Sequence, residues 1–151
     1  MKNKVYILLL LFVAMACNKE KRYSKKLIKG ETWKVESIIV NDNLLNSNTT
    51  WQVKGDKNIY DSICQVQWKN TSNELTNFQW QFQEKGKKWV MNYLQDCLEC
   101  DGWKLDTLDY LASHLSGMYD VIKHKNKEML FRSTQTKGYP NQMVEIRVIR
   151  N

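Results

Sequence analysis

The chain has 151 residues, of which 42% are hydrophobic and 26% are charged, and its net charge is +7 at pH 7. This length and composition suit a single domain with its own hydrophobic core and exclude a disordered chain. Beyond residue 26 there is no second linker, no low-complexity segment and no internal repeat, which argues against a second domain.

The first residues have the pattern of an export signal. Lys2 and Lys4 form a short basic start, and residues 5–13 are an unbroken apolar run of nine residues. The small residues Ala14-Met15-Ala16 follow this run. A segment that spans a bilayer needs about 20 apolar residues, so this run is too short to be a membrane span. The pattern predicts a cleaved signal peptide over residues 1–16.

The residue after this segment is a cysteine, and the site resembles the lipobox of bacterial lipoproteins. The resemblance implies that Cys17 is acylated, becomes the mature N-terminus and attaches the protein to the cell envelope. The protein is expected to be attached to the outer membrane and to face the periplasm. Ala14 and Ala16 also satisfy the rule for ordinary secretion, which remains the alternative. Residues 17–26 are polar and basic without apolar periodicity, and we interpret them as a flexible tether. Nucleic acid is not an expected partner in this compartment.

The remaining domain, residues 27–151, has mainly the two-residue period of β-strands. Its clearest strand places Phe78, Trp80 and Phe82 on one face and glutamines on the other, which is typical of a half-buried strand. Polar clusters that favour turns separate the strands, as at Asn41-Asp42-Asn43. Strands are predicted at residues 33–40, 58–69, 78–82, 89–93, 118–123, 128–133 and 142–150.

One short helix interrupts this pattern at residues 106–117. Leu108, Leu111 and Leu115 have helical spacing there, and Gly117 is the expected stop. The fold class predicted is therefore all-β with one short helix. About eight strands joined by short turns form an antiparallel up-and-down meander, and such a meander closes most readily as a barrel because closure removes exposed strand edges.

The start of the domain resembles a known family. Residues 27–35 (LIKGETWKV), followed by a β run and the Asn-Asp-Asn turn, resemble the opening of lipocalin-like lipoprotein domains of bacterial envelopes. In that family a glycine precedes a tryptophan that plugs the barrel floor; here Gly30 and Trp33 are separated by two residues. Residues 119–122 and 129–131 are similar to the closing strands of such domains. The resemblance implies a lipocalin-like barrel, a fold that hosts ligand carriers, inhibitors and structural modules.

Two of the four cysteines form a C-x-x-C pair, Cys97 and Cys100. In an oxidising compartment two cysteines this close are expected to form a local disulfide, with Cys64 left as a buried thiol on its strand. A bridge from Cys64 to either residue of the pair is the alternative. A thioredoxin-like redox role is not expected, because it requires the pair at a strand-to-helix junction and here an Asp-Gly turn and Trp103 intervene.

No metal site, cofactor or catalytic residue is predicted. A closed zinc site needs four ligands, and beside the cysteines the chain offers only His114 and His124. The sequence contains no G-x-S-x-G, H-E-x-x-H or glycine-rich phosphate loop. Asp106 and Asp109 lie three residues apart, but acids at the start of a helix are expected because they complement its dipole. The protein is therefore not expected to be an enzyme.

Two classes of function remain. In the first, aromatic side chains line or plug a barrel that accepts a small apolar or amphipathic ligand. In the second, the barrel is a filled core, and the protein acts as an interaction module such as an envelope accessory subunit, an inhibitor or an immunity-type protein. The aromatic residues concerned are Trp33, Tyr60, Trp68, Phe78, Trp80, Phe82, Trp89 and Tyr93.

Lysines concentrate at two predicted turns. They are interpreted as solvated hairpin tips, with contact to anionic lipid headgroups or an acidic partner as the alternative. The residues are Lys85, Lys87, Lys88, Lys123, Lys125 and Lys127.

Overall fold

The computed structural model describes residues 18–54, 64–93 and 108–150. Within these ranges the chain forms two α-helices, α1 (Asn18–Gly30) and α2 (Leu108–Leu115). The strands are β1 (Thr32–Val40), β2 (Asn43–Asn46), β3 (Thr49–Lys54), β4 (Cys64–Lys69), β5 (Leu75–Gln83), β6 (Lys88–Asn92), β7 (Gly117–His124), β8 (Glu128–Gln135) and β9 (Pro140–Ile149).

The strands form one antiparallel sheet that closes on itself. From β3 to β9 each strand pairs with the next along the chain, and β9 returns to pair with β1. β2 and β3 both pair with β1, β2 near the end of β1 and β3 near its start. These two short strands therefore share one position in the barrel, and the closed barrel has eight strand positions. The prediction of an all-β, up-and-down barrel with a short helix is confirmed.

Because the strands alternate in direction, their ends fall into two groups. The end at which β1 begins is called the lower end, and it also holds the β5–β6 turn and the β7–β8 turn. The opposite end, called the upper end, holds the β4–β5 turn and α2, which lies between β6 and β7 in the chain. In the described part of the chain, each end of the barrel therefore carries one α-helix.

Helix α1 corrects the prediction of a flexible tether over residues 17–26, which was wrong for the residues that the structure describes. Residues 18–30 are helical, and α1 packs against β3, β5 and the β5–β6 turn. Its contacts come from Leu27 and Ile28, which are buried, and from Tyr23, which packs against the core. Tyr23 and Leu27 lie four residues apart and so share one helix face. Three apolar residues among many charges gave too weak a periodic signal to be recognised in the sequence.

Strands β2 and β3 were not predicted, although one of them supplies a central core residue. In β3 the buried residues Thr49, Trp51 and Val53 alternate with more exposed neighbours, which is the signal of a half-buried strand. Asn41 and Asp42, in the turn between β1 and β2, have φ values of 45° and 66°, so the Asn-Asp-Asn turn forms as predicted. The alternation in β3 was present in the sequence but short.

The predicted short helix is found as α2, and it covers the upper end of the barrel. Leu108, Leu111 and Leu115 are buried, as their spacing indicates. The helix ends at Leu115, two residues before Gly117, the predicted stop. Gly117 is the first residue of β7. No helix within the described ranges has the length and apolar character needed to cross a membrane.

Candidate ligand-binding site in the barrel interior

Strand alternation directs one side of every strand into the barrel, and most strands contribute at least one aromatic residue to that side. Of the predicted site residues, six are buried there with at most 6% of their surface exposed: Trp33, Trp68, Phe78, Trp80, Phe82 and Trp89. Tyr93 lies just beyond β6 and is only partly buried, and Tyr60 lies outside the described residues. The sequence analysis missed Trp51, Tyr119 and Phe131, all of which are fully buried.

The middle of the barrel is filled by rings in mutual contact. The indole of Trp89 stacks on Phe131 at a centroid distance of 4.3 Å and on Trp51 at 5.8 Å. Phe78 contacts Trp51 edge-on at 5.1 Å. Trp51 belongs to β3 and Trp89 to β6, so these contacts cross the barrel. The interior resembles a packed core at this level, and any ligand must be small or must displace a ring.

The indole N–H groups divide into two sets. Trp33 donates a hydrogen bond of 3.0 Å to the Leu27 carbonyl oxygen, and Trp68 donates one of 2.8 Å to Thr49 Oγ1. A second set has no hydrogen-bond partner among the described residues. It consists of Trp51, Trp80 and Trp89, each at most 1% exposed.

These three donors are the main chemical feature of the interior. More than 90% of buried polar groups in native proteins have a partner, and leaving one unsatisfied costs about 1–3 kcal/mol. Three such groups in one apolar interior are therefore suited to a molecule that carries hydrogen-bond acceptors.

Two clefts in the described part of the structure are lined in part by outward-facing residues. The first, of about 380 Å³, runs along β5, β6 and the start of β7, and its lining includes the buried residues Trp80 and Met91. Gln79, Gln81 and Val90, which also line it, alternate with these two residues along the strands and face away from the interior. The second, of about 540 Å³, lies at the lower end.

Helix α2 is fixed over the upper end by a partly buried carboxylate. Asp109 Oδ1 accepts a hydrogen bond of 2.5 Å from Thr76 Oγ1 and one of 2.9 Å from the Tyr93 hydroxyl. Burial and the hydrogen bond to Asp109 raise the pKa of Tyr93 to about 12, so this hydroxyl stays protonated and donates at neutral pH. The side chain of Asp109, expected only to complement the helix dipole, thus joins the helix to β5 and β6.

The lower end is covered by α1 through a short aromatic stack. The Tyr23 ring lies 3.6 Å from the ring of His124, nearly parallel to it, and meets Phe82 edge-on at 5.7 Å. Burial, together with the nearby charge of Lys26, lowers the pKa of His124 to about 4. The imidazole is therefore neutral at pH 7 and packs as an aromatic ring.

Three of the four cysteines that the sequence analysis named as candidate sites lie outside the described residues. Cys17, Cys97 and Cys100 lie outside the described residues, so the lipidation site and the disulfide stay predictions. Cys64 is 8% exposed and faces the interior, where burial raises the pKa of its thiol. Across residues 18–54, 64–93 and 108–150, no group of three or more His, Cys, Asp or Glu side chains is placed to bind a metal ion.

No family model matches the chain, and no curated protein matches it. Among solved structures, the fold is similar to Japanin from Rhipicephalus appendiculatus, a tick lipocalin crystallised with cholesterol bound. The two share 10% identity at a TM-score of 0.50, and the match covers 81% of this chain and 76% of Japanin. The eight-stranded barrel therefore has a lipocalin-like fold.

Proposed function

We propose that this protein is a lipid-anchored envelope lipoprotein whose barrel binds a small amphipathic ligand without catalysing a reaction. The anchor is the acyl group on Cys17, and the expected place is the outer membrane, facing the periplasm. The site is the aromatic interior of the barrel. The likeness to Japanin, whose structure contains cholesterol, supports an apolar ligand class.

The observation that carries this proposal is the set of three buried indole N–H groups without a partner among the described residues, those of Trp51, Trp80 and Trp89. In a purely structural core these donors only cost desolvation free energy, which apolar side chains in their place would avoid. A ligand with an apolar body and one or two acceptor oxygens would satisfy them. Fatty acids and sterols have this chemistry.

The second candidate is an interaction module with a filled core. It is favoured by the contact of Trp89 with Phe131 at 4.3 Å and by the cleft of about 540 Å³ on the outer face at the lower end. In this alternative the partner binds outside the barrel, and the packing of the aromatic rings compensates the desolvation cost of the indole N–H groups.

Ligand binding is tested by nuclear magnetic resonance of the isotopically labelled indole N–H groups, assigned with single Trp→Phe variants. On titration with oleate or cholesterol we expect saturable shifts of the Trp51, Trp80 and Trp89 signals. Trp33 and Trp68 are internal controls, because their N–H groups already donate to Leu27 and Thr49.

A straight-chain alkane of similar length is the matched ligand control. It lacks an acceptor, so it should not reproduce these shifts. Native mass spectrometry of protein purified from its own envelope should show a bound lipid. Unchanged indole signals with both probes, together with protein that carries no non-covalently bound lipid, would favour the interaction module.

Anchoring is tested separately by mass spectrometry of the N-terminal peptide. We expect the mature chain to begin at an acylated Cys17 and to fractionate with membranes, and Cys17→Ser to move it to the soluble envelope fraction. Cys64→Ala is the matched control, since it removes a cysteine without affecting the anchor. An unmodified Cys17, or retention of residues 1–16, contradicts the proposal.

A further inference from the structure

The lower end of the barrel concentrates positive charge from separate parts of the chain. Helix α1, the β5–β6 turn and the β7–β8 turn each contribute lysines or arginine there, together with the start of β1 and the end of β3. The exposed cations of this end are Lys19, Lys21, Arg22, Lys25, Lys29, Lys34, Lys54, Lys85, Lys87, Lys125 and Lys127. The upper end, in its described part, has only Lys69 and Lys137 against Asp42, Glu74 and Asp109.

Two of the carboxylates described at the lower end are already engaged within the protein. Glu128 forms ion pairs with Lys123 at 2.5 Å and with Arg147 at 3.0 Å. Glu20 Oε1 accepts a hydrogen bond from the backbone N–H of Lys85. Among the described residues of this end, the other exposed carboxylates are Glu31 and Glu84, against eleven exposed cations.

A cleft of about 540 Å³ lies on the outer face of the barrel at this end. Its lining includes the three cations Lys29, Lys34 and Arg150, the hydroxyls of Thr32 and Thr50, and Gly30, with no carboxylate among these six residues. Guanidinium, ammonium and hydroxyl groups are the donors that proteins use to bind phosphate. The cleft therefore matches the phosphate of a lipid headgroup in charge and in donor type.

We infer that the lower end is a membrane-docking surface that binds the headgroups of anionic phospholipids, with one headgroup phosphate in the Lys29–Lys34–Arg150 cleft. An anionic membrane is the occupant that the charges favour, because the exposed cations of α1 and of two separate turns lie at one end, beside a cleft lined by cations and hydroxyls. Each lysine or arginine near an anionic surface strengthens binding about fivefold. The inference goes beyond the proposed function and requires neither a lipid on Cys17 nor a ligand in the barrel.

The test uses the mature chain with Cys17→Ser, which cannot be acylated, in co-sedimentation with vesicles. One set contains phosphatidylcholine only, and the other contains phosphatidylcholine and phosphatidylglycerol in equal parts. We expect binding to the phosphatidylglycerol vesicles at low salt, with a loss of affinity as salt is raised, because salt screens exposed charges. Since acylation is absent, a failure here is separate from a failure of the proposed anchor.

A triple variant, Lys29→Gln, Lys34→Gln and Arg150→Gln, tests the cleft. Its affinity for phosphatidylglycerol vesicles should fall by about fivefold for each cation removed. The matched control is Lys69→Gln with Lys137→Gln at the upper end, which should leave affinity unchanged. Equal binding to both vesicle types would overturn the inference, and so would an equal loss of affinity in the control variant. Absence of binding to either vesicle type would also overturn it, whether or not an acidic protein binds this surface.

Discussion

Replacing Trp89 with alanine is expected to lower the free energy of unfolding by about 3–5 kcal/mol, the range for removing a fully buried large aromatic side chain. Trp89 is 0% exposed and contacts Trp51, Phe131 and Tyr119, so its removal leaves a cavity bounded by rigid rings. Chemical denaturation followed by far-ultraviolet circular dichroism measures the change. Because domains are stable by only about 5–15 kcal/mol, this loss is a large part of the total.

Trp89→Phe keeps the variant series interpretable if the alanine variant does not fold. It retains a ring in the stack and should lose less stability than the alanine variant. Met118→Ala in β7 is the control, since Met118 is 39% exposed and its truncation should change stability by about 0.5 kcal/mol or less. A loss below about 1 kcal/mol for Trp89→Ala would show that the interior is open rather than packed.

Gly30→Ala is expected to cost about 1–3 kcal/mol, the range for overpacking a tightly packed site. A Cβ at this position would lie 2.6 Å from Cε2 and 2.8 Å from Cζ2 of the Trp33 indole. Trp33 cannot move aside easily, because it is 0% exposed and its N–H is bonded to Leu27. Thermal or denaturant unfolding measures the loss, and the Trp33 indole N–H signal should shift as its hydrogen bond is strained.

Helix propensity predicts the opposite sign for this substitution, which makes the result informative. Alanine is a better helix former than glycine, so a loss of stability must come from the contact with Trp33. Lys29→Ala, one residue earlier on an exposed side chain, is the control and should be nearly neutral. A Gly30→Ala variant as stable as the parent would mean that Trp33 does not pack over this glycine.

The sequence determined most strands because their burial is local information. In β5, for example, the alternation of Phe78, Trp80 and Phe82 with glutamines is sufficient to predict both the strand and its inward face. The same reasoning located the turns and α2. It failed for α1, whose apolar residues Tyr23, Leu27 and Ile28 are too few to outweigh the surrounding charges.

The candidate site was only partly accessible to sequence reasoning. Alternation identifies an inward tryptophan, but it does not say whether the indole N–H finds an acceptor. Trp68 donates to Thr49, which lies nineteen residues earlier on another strand, while Trp51 and Trp89 have no such neighbour in the described residues. That difference depends on the register between strands, which no single segment encodes.

The sequence by itself determined the fold class and the candidate interior, because side-chain period and turn composition are properties of short segments. Only the tertiary structure decided that the centre is filled by rings from β3, β6 and β8, since distances between residues far apart in the chain depend on barrel closure. The same closure brings the lysines of α1 and of two distant turns to one end of the barrel. In the sequence these lysines lie in separate segments and are predicted to be solvated, whereas in the fold they form a single charged surface.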